Sequence, residues 1–70
     1  MRIKVSKQRG KNQWWVEAFE TDGTPIFHAI KTVYKNPYGV YFFDHVVFDS
    51  LDQAMVAAKL AVKSLVNGEL

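Results

Sequence analysis

Polar and apolar residues alternate over residues 2–7, with Ile3 and Val5 on one side and Arg2, Lys4 and Ser6 on the other. That period of two is the signature of a half-buried strand. Gln8 to Asn12 then turns the chain, and two aromatic and β-branched runs follow at residues 13–20 (QWWVEAFE) and 26–34 (IFHAIKTVY). Asp22-Gly23 between them is a hairpin signal, because a two-residue turn of the favoured type needs positive φ. A second break, Asn36-Pro37-Tyr38-Gly39, precedes a further run at residues 40–48 (VYFFDHVVF), which reads as one fourth strand.

The period changes after Ser50. Leu51, Ala54, Met55, Ala58, Ala61, Val62 and Leu65 recur at three- and four-residue spacing, the stripe of a helix with one apolar face. Ser50 with Gln53 fits a capping box, Asp52 and Lys63 suit the two ends of the helix dipole, and Gly68 lies where a C-terminal cap belongs. The predicted fold is α+β: a three- to four-stranded antiparallel meander with one C-terminal amphipathic helix across a face, in a single small domain over residues 1–70.

Assumed registers give the sheet two faces. A two-residue turn at Asp22-Gly23 pairs Phe19 with Ile26, Glu17 with His28 and Trp15 with Ile30, and a four-residue loop at 36–39 pairs Tyr34 with Tyr41. One face then collects Trp14, Val16, Ala18, Phe27, Ala29, Val33, Val40, Phe42, Val46 and Phe48, and should lie under the helix. The other collects Trp15, Glu17, Phe19, Ile26, His28, Ile30, Thr32, Tyr34, Tyr41, Phe43, His45 and Val47. A slip of one residue would exchange these sets. One helix covers only one face, so the second set is an apolar patch that calls for something outside the protomer.

Composition narrows the classes further. Seventy residues, 49% of them hydrophobic, leave room for one core. The absence of cysteine excludes disulfides and thiolate metal sites and suits a reducing, cytoplasmic setting. Lys59 and Lys63 interrupt the most apolar helical stretch, and no apolar run follows Met1, so neither a membrane span nor a secretory signal is expected. The net charge of +2 is unevenly placed: Arg2, Lys4, Lys7, Arg9 and Lys11 fall in the first eleven residues with no acidic residue among them. Such a segment attracts phosphates, but lysine on a sheet edge also serves simply to prevent aggregation.

Catalytic chemistry is not evident. Ser6, Ser50 and Ser64 stand in no nucleophile turn, and Gly10, Gly23, Gly39 and Gly68 are isolated at turns and a cap. His28, His45 and Glu17 meet only under the assumed registers and lack the spacing of zinc motifs. Asp44, Asp49 and Asp52 read as a solvated edge and helix-start charges. Neither an enzyme nor a bound cofactor or metal is expected.

From Trp14 onward the order of elements, strands followed by one amphipathic helix, resembles the DNA-binding domains of AP2-type factors and of phage integrase N-terminal arms. The matching residues are Trp15-Val16 in a strand, Asp22-Gly23 in a turn, and Phe48-Asp49-Ser50 leading into Ala54, Ala57 and Ala58. The resemblance implies a sheet laid in the major groove, with Trp15, Lys31 and Lys35 as the corresponding contacts. The chain departs from that pattern in its aromatic rather than arginine-rich outer face and in the longer stretch from Tyr34 to Asp44.

Two functions are therefore expected. The first is binding of DNA or RNA, with Arg2, Lys4, Lys7, Arg9 and Lys11 on phosphates and Trp15, Phe19, Tyr34, Tyr41 and Phe43 stacking or entering a groove. The second is a protein-interaction module, such as a small inhibitor or accessory protein of phage or mobile-element type. Its aromatic face, including Trp15, Phe19, Tyr34, Tyr41, Phe43 and His45, would dock on a partner or on a second copy in a homodimer.

Overall fold

In the computed structural model, which describes residues 1–67, five strands precede one helix: β1 (Arg2–Lys7), β2 (Gln13–Phe19), β3 (Pro25–Lys35), β4 (Tyr41–Phe43), β5 (Val46–Phe48) and α1 (Leu51–Asn67). The strands form one antiparallel sheet in the order β1-β2-β3-β4-β5, and α1 packs chiefly on β3 and β2 and reaches β4 and β5. Each connection is a hairpin, so neighbours in sequence are neighbours in space.

The predicted α+β meander with a C-terminal helix is present, with one strand more than expected. The run at residues 40–48 is not continuous. Asp44 and His45 both adopt positive φ, 53° and 66°, and fold it into a two-residue hairpin that pairs Phe43 with Val46. Positive φ at both central positions is what the tightest strand reversal requires.

The β2–β3 and β3–β4 turns share one design. In the β2–β3 hairpin, Glu20 N donates to Thr24 O (2.8 Å) and Gly23 N to Glu20 O (2.9 Å), with Gly23 at φ 90°. In the β3–β4 hairpin, Asn36 N donates to Val40 O (2.9 Å) and Gly39 N to Asn36 O (3.1 Å), with Gly39 at φ 86°. Each is a three-residue loop ending in a left-handed glycine, one residue different from the loops assumed from sequence. Side chains brace both: Asp22 Oδ1 accepts from Thr24 N, and Asn36 Oδ1 accepts from Tyr38 N and Val40 N.

The core is small and made of small residues. Val16, Ala18, Ala29, Val33 and Phe43 of the sheet are buried against Ala54, Ala58 and Val62 of α1. The three helix residues recur at intervals of four, so a single row meets the sheet, and the alanines allow close approach. Ser50 starts the helix, its Oγ accepting from Gln53 N at 3.2 Å, which is the hydroxyl half of the expected capping box. Lys63 lies a turn before the helix end, not within its last turn. The cap expected at Gly68 lies outside the described residues.

Candidate functional site: the outer face of the sheet

Register decides which side chains reach the face away from the helix. Along β2 and β1, Trp15 lies opposite Ser6, Glu17 opposite Lys4, and Phe19 opposite Arg2, while Val16 and Ala18 on the other side are buried. Across β3, Trp15 pairs with Thr32, Glu17 with Ile30 and Gln13 with Tyr34; Tyr34 in turn pairs with Phe42, and Phe42 with Val47. Since directly paired residues project to the same side, the outer face carries Arg2 and Lys4 beside Trp15, Phe19, Ile30, Tyr34, Phe42 and Val47.

This face is open. Trp15 is 39% and Tyr34 51% exposed, and Ile30 and Val47 are exposed as well. Tyr34 and Phe42 form, with Asp44 and His45, the walls of a shallow depression of about 440 Å³. Loop 8–12, which carries Arg9 and Lys11, joins β1 to β2 at the Tyr34 end of the sheet, tied to β3 by Lys35 N donating to Asn12 O at 2.8 Å. Cations thus flank the aromatic rows at both ends.

Several sequence-derived assignments are corrected by the registers. Tyr41 and Phe43 do not lie on the outer face: Phe43 is buried under α1, and Tyr41 packs against the core. The left-handed Gly39 shifts β4 by one position, so Lys35 faces Tyr41 and Tyr34 faces Phe42, which exchanges the two sides of the strand. Phe42, expected under the helix, takes their place outside. His45 sits in the β4–β5 turn and not on a strand, where it walls the depression beside Tyr34 and Phe42.

In β3 the pairing shifts between Glu17 and Phe19, and the resulting bulge sets Ile26 to Ala29 against Ala18. Ile26 consequently packs against the core, while Phe27 is turned out and 87% exposed, the reverse of the expected placement. Glu17 faces Ile30 and not His28. Among the described residues no group of three or more histidines and carboxylates is arranged to hold a metal.

The cations divide. Lys31 is paired with buried Val16 and Lys35 with Tyr41, so both project on the helix side. The groove contacts implied by the resemblance would require them outside. Lys7 is on the helix side too, its Nζ 5.8 Å from the Trp14 ring centre, and Lys35 Nζ lies 5.7 Å from the Tyr41 ring. Trp14 and Tyr41 are themselves 5.8 Å apart with planes tilted by 52°, so these two lysines cap an aromatic pair. Of the five N-terminal cations, Arg2 and Lys4 remain on the outer face and Arg9 and Lys11 in the adjoining loop.

Among the described residues, no helix is long and apolar enough to cross a membrane. In comparisons with known proteins, no family model, no curated protein and no solved structure matches this chain. Its functional reading rests on its own geometry.

Proposed function

We propose that this chain is a small non-catalytic module that binds single-stranded nucleic acid on the outer face of its sheet. Bases stack on Trp15 and Tyr34, and the phosphates run past Arg2 and Lys4 on one side and Arg9 and Lys11 at the loop. The observation that carries this reading is the coincidence of exposed rings and cations on one face: Arg2 and Lys4 alternate outward beside Trp15 and Phe19, not toward the helix. Stacking on such a platform contributes about 1–3 kcal/mol per base and tolerates any base, since every base has a π-face. Two carboxylates border these rows: Glu17 stands opposite Lys4, which offsets it, and Asp44 lies in the turn beside Tyr34 and Phe42.

Four phosphate contacts on a single strand give a log–log salt slope of about −3. Titrating an oligothymidylate by tryptophan fluorescence at several salt concentrations is therefore expected to show binding that weakens several hundredfold for about a tenfold rise in salt. A duplex of the same length should bind more weakly, because its bases are not free to stack. Absence of binding at low salt, or affinity that ignores salt, rejects the reading.

The aliphatic members of the face favour a second reading. Ile30 and Val47 are exposed between and beside the rings, and bases have no need of them, whereas a protein surface does. Sedimentation over a wide concentration range separates the cases: a concentration-dependent dimer with no oligonucleotide affinity supports docking on a second copy.

A further inference from the structure

A second open surface lies on the opposite side of the molecule, where the helix stops short of the edge strand. Since α1 packs on β2 to β5, the side chains that β1 sends toward the helix side, Ile3 and Val5, are only partly covered. Ile3 shares a groove with Val56 and Leu60, which lie one turn apart on α1 and are 60% and 59% exposed. Met1, Ile3, Val56 and Leu60 line a groove of about 470 Å³, whose charged walls among the described residues are Lys59 and Lys63. Because β1 ends the sheet, one side of its backbone has no strand partner among the described residues. An open edge, a row of apolar side chains and a uniformly positive rim therefore run side by side.

We propose that this edge receives an acidic, extended peptide segment of another protein, which adds to β1 as a sixth strand. A strand added at the usual spacing of about 4.8 Å would send alternate side chains into the groove against Val56 and Leu60, and the others outward beside Arg2 and Lys4. Charge selects the occupant. A second copy pairing β1 with β1 would bring two strands that each carry Arg2, Lys4 and Lys7 side by side, and like charges across a strand pair are destabilising. Glutamates or aspartates on the outward side of the incoming strand meet Arg2 and Lys4 favourably. Protection of the edge from aggregation explains the strand lysines, but it does not account for two exposed aliphatic residues on the facing helix. The groove itself lies on the helix side, away from Trp15 and Tyr34, and the incoming strand shares only Arg2 and Lys4 with the outer face, so the proposal does not require nucleic acid to bind there.

The test is an NMR titration of the full chain with a synthetic peptide alternating glutamate and valine, and with its counterpart carrying lysine for glutamate. The acidic peptide is expected to shift the β1 amides and the Val56 and Leu60 methyl resonances and to slow exchange of the β1 amides that point away from β2. A V56E/L60E variant, altered at exposed positions that leave the core intact, should lose affinity by about tenfold or more through lost apolar contact and added repulsion. The proposal is overturned if the acidic peptide causes no change, if the lysine peptide binds equally well, or if the shifts fall on Trp15 and Tyr34. It is equally overturned if the groove resonances respond to single-stranded DNA and not to the peptide, or if the protein dimerises through them unaided.

Discussion

At the scale of single residues, the positions that matter most are those where one side chain fixes the path of the backbone. Asp22 is an example. Its carboxylate accepts from Thr24 N at 2.9 Å, and the hydrogen bonds from Thr24, backbone first and then side chain, hold its pKa below the ordinary value of 3.8. A depressed carboxylate stabilises the fold above its unfolded pKa and loses that contribution as pH falls through the folded value. An Asp22→Ala variant should therefore be less stable than the parent near neutrality, with the gap closing below about pH 4. Urea unfolding of both proteins between pH 7 and pH 2 checks this; a gap that is constant, or that widens in acid, contradicts it.

Much at this scale was legible in the sequence. Simple alternation places Arg2, Lys4, Trp15 and Phe19 on one side and Val16 and Ala18 on the other, because an uninterrupted strand leaves no alternative. Phe27 was not legible: a bulge inverts the order of sides, and no residue type in IFHAIKTVY marks where the extra residues fall.

At the scale of elements, the existence of β1, β2, β3 and α1 follows from periodicity, and their limits agree with it to within a residue at most ends. What sequence periodicity could not supply was the count of residues in each turn. A glycine in the left-handed region at Gly23 and Gly39 admits both two- and three-residue loops, and the choice moves the next strand by one position. That single residue buried Phe43, turned Tyr41 toward the core and brought Phe42 out. The β4–β5 turn was hidden for a different reason. Asp44-His45 lacks glycine, and the only signal was a charge in the middle of a run of large apolar residues.

The same turn predicts an improvement. A non-glycine residue in the left-handed region costs roughly 1 kcal/mol, and Asn-Gly is the pair best suited to two successive positive φ values. Replacing Asp44→Asn and His45→Gly together should raise stability by about 1 kcal/mol without altering the fold. Denaturant unfolding that shows a loss of stability would mean that Asp44 or His45 makes a contribution other than closing the hairpin.

At the scale of the whole molecule, the protein is a two-layer slab, 38 × 27 × 16 Å in its Cα extents. Its accessible surface of 5022 Å² exceeds the roughly 4,450 Å² expected for a monomer of this mass. The thin dimension has room for one sheet and one helix, and nothing within the described residues covers the far side of the sheet. An aromatic outer face and a half-covered edge strand are both consequences of spreading five strands beneath a single seventeen-residue helix. The helix, about 25 Å long at 1.5 Å per residue, packs on β2 to β5 and leaves β1 at the edge largely uncovered.

Two adjacent tryptophans make the central claim directly measurable. Trp14 faces the helix side, packed with Tyr41 beneath Lys7, and Trp15 faces outward. In a titration of the nitrogen-15-labelled protein with oligothymidylate at low salt, the Trp15 indole N–H resonance is expected to move progressively while that of Trp14 stays in place. Movement of Trp14 alone, or no movement of either, would contradict binding on the outer face.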